Sequence, residues 1–157
     1  MKKLICFLLL ALVSMPSRSA TRRELVALLR QFVCDAVEEK LSNAALADTY
    51  CCTRILHRDD QYGEQARRGL EWALAQQRPY LRAQHLALAD LTFLPYAEIP
   101  AAEVPPKPFH MLGPTTNVYV ARYRGQIILY FLLEDTKIAS TLLIGQGDEH
   151  YFVDFCH

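Results

Sequence analysis

The stretch NVYVARYRGQIILYFLLE, residues 117–134, decides how this chain folds. Two runs rich in β-branched and aromatic residues, 117–124 and 126–134, flank a single glycine, Gly125. Such a pattern reads as two strands and a tight turn, and strands joined by so short a link must be antiparallel. Side chains alternate along a strand. Tyr119, Ala121 and Tyr123 therefore share one face of the first run, and Val118, Val120, Arg122 and Arg124 share the other. On the second run Ile127, Leu129, Phe131 and Leu133 face one way, and Ile128, Tyr130 and Leu132 the other. A sheet covered by helices on one side only alternates apolar with polar. This one is apolar on both faces near its centre, so both faces need cover.

Working outward, KIASTLLI (137–144) continues the meander after a turn at Asp135–Thr136. GQGDEH (145–150) turns into a last strand, YFVDFC (151–156). On the other side, residues 99–116 hold five of the eight prolines and read as a long extended loop. Before it, HLALADLTFLPYAEIP (85–100) has strand composition in its second half, and Pro95 points to an edge or a bulge.

Further upstream the period becomes helical. Leu25, Leu28, Leu29, Phe32, Val33, Ala36 and Val37 mark one broad face of a helix over 22–41. Thr21 and Glu24 have the spacing of a capping box. SNAALADTYCCTRILHR (42–58) reads as a second helix, antiparallel to the first across a short link. YGEQARRGLEWALAQQR (62–78) reads as a third, expected to stop before Pro79. Helices followed by strands imply an α+β fold: N-terminal helices packed on a curved antiparallel sheet of about four to five strands. Over roughly residues 60–156 this order resembles the cystatin-like and NTF2-like architecture, in which a curved sheet cradles a long helix. It also resembles small exported domains of Gram-negative bacteria. No family motif accompanies the likeness, so it carries no functional residue across. It does imply where an enzymatic site would lie, in the cavity between helix and sheet, with a His or a carboxylate in it. His85, His110 and Asp154 are the candidates, with Asp90 and Glu134 beside them.

MKKLICFLLLALVSMPSRSA opens with two lysines, an apolar run over 4–13 and small residues at Ser17 and Ser19. This is the layout of a secretory signal peptide over residues 1–19, with a single domain over 20–157 and export to the periplasm or beyond. No membrane span is expected in the remaining chain. The whole chain is neutral, with 17 basic and 17 acidic residues. Loss of Lys2, Lys3 and Arg18 leaves an acidic excess of about three, without a basic block, which excludes the usual nucleic-acid binders.

Export bears on the cysteines, because thiols outside the cytoplasm tend to be oxidised. Cys34, Cys51, Cys52 and Cys156 remain after cleavage and are the disulfide candidates. Cys34 lies off the main apolar face of the first helix, on a side where the second helix could dock. Neighbouring helical residues point about 100° apart, so only one of Cys51 and Cys52 can meet Cys34. The expectation is one staple between the two helices, with the other cysteine left for Cys156 or kept as a buried thiol. Cys51, Cys52 and His57 lack zinc-site spacing, so no metal is expected.

Familiar motifs fail on inspection. HRDD (57–60) lacks the Asn of a kinase catalytic loop, and Glu64 stands in its place. GQGDEH has His150 where a phosphate-binding loop needs glycine, and it joins two strands. No cofactor is expected. The leading expectation is a non-enzymatic domain that binds a small ligand or a protein partner, or a second copy of itself, through the second sheet face. Tyr119, Tyr123 and Tyr130 are the expected binding residues, since tyrosine buries area while keeping a polar tip. The alternative is a small hydrolase-like or isomerase-like enzyme of the NTF2-like kind.

Overall fold

The computed structural model describes residues 20–100, 102–103, 109–110, 117–146 and 149–157. The signal peptide expected over residues 1–19, and most of the proline loop, lie outside these. Among these residues three α-helices come first: α1 (Arg22–Glu38), α2 (Asn43–Tyr50) and α3 (Gln61–Ala83). Seven strands follow: β1 (Thr92–Pro95), β2 (Phe109–His110), β3 (Val118–Tyr123), β4 (Gln126–Glu134), β5 (Lys137–Ser140), β6 (Leu143–Gln146) and β7 (Glu149–Phe152). They form a four-stranded antiparallel sheet in the order β1-β3-β4-β5 and a small sheet in the order β2-β7-β6. The fold is α+β, with the helices N-terminal. No helix among the described residues is long and apolar enough to cross a membrane.

Local chemistry explains much of this. Thr21 and Glu24 form the capping box that starts α1, satisfying backbone donors that the first turn leaves without partners. Arg124 and Gly125, both at positive φ (51° and 82°), turn β3 into β4 with Tyr123 opposite Gln126. Twin positive φ values match the twist of a two-residue hairpin, and glycine reaches them without strain. At the start of α3 Asp60 accepts from the Gly63 N–H at 2.9 Å. A Cβ on Gly63 would lie 2.1 Å from the Arg58 carbonyl oxygen, so only glycine lets the preceding turn pack this closely.

The helices cover one face of the four-stranded sheet. Phe32 meets Phe131 edge-on at 5.8 Å and Tyr50 at 5.7 Å, with Phe93 tilted against Phe131 at 6.3 Å. Leu29, Leu46, Leu70, Leu74 and Leu81 fill the space around these rings. Arg78 ties the helices together at one end. Its buried guanidinium donates to the Ala36 carbonyl (3.1 Å), to Asn43 Oδ1 (2.6 Å) and to the Leu41 carbonyl (2.8 Å). It therefore closes the exit of α1, the link and the entry of α2 with one side chain.

Four local expectations are corrected. The second helix stops at Tyr50, not near Arg58. Cys51 is extended (φ −90°, ψ 166°) and bridges Ile138 on β5, and the Cys52 N–H donates to the Ile138 carbonyl at 3.0 Å. Pairing with a sheet edge outweighs helix continuation there. The third helix runs through Pro79 to Ala83. The N–H that proline lacks would serve the Ala75 carbonyl on the exposed side, where water substitutes, while Leu81 in the core anchors the last turn. The single strand expected over 137–144 breaks at Thr141–Leu142. Gln77 on α3 donates to the Thr141 carbonyl (2.7 Å) and accepts from its hydroxyl (2.8 Å), which pins the chain as it crosses between sheets.

The fourth correction concerns the tyrosines. Register places Tyr119 opposite Phe131 and Ala121 opposite Leu129, on the helix-facing side. Tyr119 and Tyr123 are each 7% exposed and belong to the main core rather than to an open second face. Val118, Val120, Tyr130 and Leu132 occupy the other face. That face is covered in part by this same chain. Tyr96 packs its ring on Tyr130 at 6.5 Å, Glu103 pairs with Arg122, and Leu132 lies against Cys52 and Cys156.

Candidate functional site

The adjacent cysteines have separate fates. Extended backbone sends successive side chains to opposite sides. Cys51 enters the main core and stays a thiol, and Cys52 joins Cys156 in a disulfide with Cα atoms 5.2 Å apart. Cys34 is a half-buried thiol, so the expected staple to the first helix is not formed. Burial pushes the Cys51 thiol up to about 12, which keeps it protonated and unreactive. Cys34 is also raised, by burial and by the carboxylate of Glu38.

The expected catalytic residues do not gather between helices and sheet; Asp154 and Glu134 meet only through His157. His85 is exposed at the exit of α3, in the left-handed region (φ 48°), and Asp90 is exposed in the short turn that follows. His110 lies in β2, paired with Tyr151 of β7. Asp154 follows β7; it accepts from the Cys156 N–H at 2.7 Å and faces His157 Nδ1 at 2.9 Å. The space between helices and sheet holds the Phe32–Phe131–Phe93 stack.

A buried polar pair sits among the helices instead. Asp35, 8% exposed, accepts from the Tyr50 hydroxyl at 2.5 Å and from Gln31 Nε2 at 3.0 Å. Desolvation first, and then the hydrogen bond and charge of Asp35, raise Tyr50 to about 12. Tyr130 is raised equally far, by desolvation and by Tyr96. A phenol whose folded value exceeds its ordinary 10.0 keeps its full contribution to stability below about 10 and loses it as pH rises toward 12. Thermal midpoints are therefore expected to fall across pH 10–12, and Tyr50→Phe to flatten that fall. An identical slope in the variant would remove Tyr50 from this account.

Two surface features bear on binding. A cleft of about 230 Å³ opens between α2, the turn after it and α3. Ala44, Ala47, Leu56 and Leu70 form its apolar part; Asp48, His57, Asp59, Glu71 and Arg67 bring charge. Arg67 is already engaged by the Leu56 and Arg58 carbonyls, so carboxylates dominate the rim. His57 Nε2 stands 3.9 Å from Asp48. Next to Glu71, Trp72 points away from the core and is 58% exposed. Tyr62 and Tyr80, five turns apart on the same line of α3, are 59% and 46% exposed. Sequence reasoning missed this face because Trp72 lies outside the apolar stripe that it followed. An aromatic off the stripe was the available signal. The approach of Asp48 to His57 needed the turn after α2, which was read as helix.

Comparison with protein-family models, curated proteins and solved structures finds no match to this chain.

Proposed function

We propose that this chain is an exported, non-enzymatic domain that binds a protein partner through the outward face of α3 and the acidic cleft beside it. One observation carries the reading: the chain's single tryptophan is largely in water, on a helix that also exposes two tyrosines. Trp and Tyr are the side chains that concentrate binding energy at protein interfaces. The cleft supports the same reading by its size. At about 230 Å³ it falls below the roughly 300–1,000 Å³ of small-molecule sites. It suits one inserted side chain, and its carboxylate rim over an apolar floor favours a lysine or arginine, whose stem is apolar and whose tip is charged. An enzymatic site in the cleft is the second reading, favoured by the Asp48–His57 approach. That pair is too far apart for a formed base and orienter.

Photo-crosslinking in the native host tests the proposal. A crosslinking residue at position 72 is expected to give a discrete protein adduct, and the same residue at exposed position 124 none. Glu71→Lys is expected to weaken the adduct at 72. No adduct at 72, or equal adducts at both positions, would overturn the reading.

A further inference from the structure

Around the disulfide lie groups that the fold does not otherwise need together. Cys52 Sγ, Cys156 Sγ and a Glu134 carboxylate oxygen lie within 4.8 Å of one another. Glu134 Oε1 is 3.4 Å from His157 Nε2. Its second oxygen, Oε2, is closed off from solvent without a hydrogen-bond partner among the described residues. A carboxylate oxygen left so is costly unless something positive or protic completes it. His157 backs the Glu134 carboxylate. Asp154 holds its Nδ1 at 2.9 Å, which leaves Nε2 directed at Glu134. A hydrogen-bonding partner behind a ligating carboxylate is the usual support of a metal ligand.

We propose that reduction of the Cys52–Cys156 bond creates a zinc site formed by Cys52, Cys156 and Glu134, with His157 behind the carboxylate. The bond and the ion are then alternative fasteners of the same junction. A dithiol gives up two electrons and two protons and leaves as its own disulfide. The S–S bond breaks to two thiols, and zinc displaces both thiol protons as it binds. Two thiolates and one carboxylate, with water in the fourth position, make a set of the kind that zinc takes, and the sulfurs disfavour magnesium and calcium. The sulfurs stay near each other without their bond, because the backbone on both sides is held independently. The Cys52 N–H donates to the Ile138 carbonyl, and the Phe155 N–H donates to the Ala139 carbonyl at 2.9 Å.

The test reduces the chain with a dithiol, removes the reductant without air, and adds cobalt(II) as a spectroscopic stand-in for zinc. The reduced chain is expected to take one ion, with thiolate-to-cobalt charge-transfer absorption, and the oxidised chain none. Bound metal should shield Cys52 and Cys156 from alkylation while Cys34 labels at an unchanged rate. Glu134→Gln and His157→Ala should each weaken binding at least tenfold. Circular dichroism covers the case in which reduction loosens the fold: regain of structure with cobalt supports the site. Absence of the charge-transfer bands, unshielded Cys52 and Cys156, affinity unchanged in both variants, or a reduced chain that stays unfolded with cobalt would each overturn it.

Discussion

Replacing both Cys52 and Cys156 by alanine is expected to lower stability by roughly 4 kcal/mol. The two residues are 104 apart in sequence, so the bond ties most of the described chain into one loop. In chain-entropy terms a loop near 100 residues contributes roughly 4.7 kcal/mol, because the cross-link removes open conformations of the unfolded chain. Alanine avoids burying a hydroxyl where the sulfurs are, at 9% and 3% exposure. Against a total stability of roughly 5–15 kcal/mol, the variant should still fold, with a midpoint lower by on the order of 15 °C. Urea titration of the oxidised parent and the variant measures the difference. A loss under about 1 kcal/mol would mean that the unfolded chain already holds these ends together.

Phe131→Ala is expected to cost about 4 kcal/mol. Phe131 is fully buried at the centre of β4, between β3 and β5, and its ring is the hinge of the contact between helices and sheet. Removing it leaves a cavity lined by Phe32 and Phe93, both held by neighbours that cannot all collapse inward. It also removes one edge-on ring contact with Phe32, worth about 0.5–1.5 kcal/mol, and a tilted one with Phe93. Phe131→Leu keeps most of the volume and should cost less than half as much. Denaturant titration of the two variants separates the cavity from the ring contacts. Equal, small losses would show that the helices do not press on this face.

What could be read from the chain beforehand follows from how local each signal is. The capping box at Thr21 and Glu24, the turn at Gly125 and the edge position of Pro95 are settled by a few neighbouring residues, and all three were legible. The α+β order was legible for the same reason. The face of Tyr119 and Tyr123 was not, because a strand that is apolar on both sides carries no mark of which side meets the helices; only the pairing with Phe131 and Leu129 decides it. The end of α2 was hidden too. Cys51 and Cys52 leave the helix because of β5, more than eighty residues later. Once they are extended, Cys52 turns toward Cys156 and Cys34 is left unbonded, so one non-local pairing also decides the disulfide. The grouping of Glu134 with the sulfurs, and of His157 behind it, is another product of that crossing, invisible as spacing.

The same crossing has a consequence for self-assembly. A sheet is prone to polymerise where an outer strand offers unpaired backbone to another molecule. Here the outer strands of the main sheet are short and obstructed. β1 has four residues and ends in Pro95, which has no N–H to offer. β5 has four residues, and its Ile138 carbonyl is already taken by Cys52. Strand addition therefore has little purchase on either border of this sheet, by a stray copy or by an extended peptide.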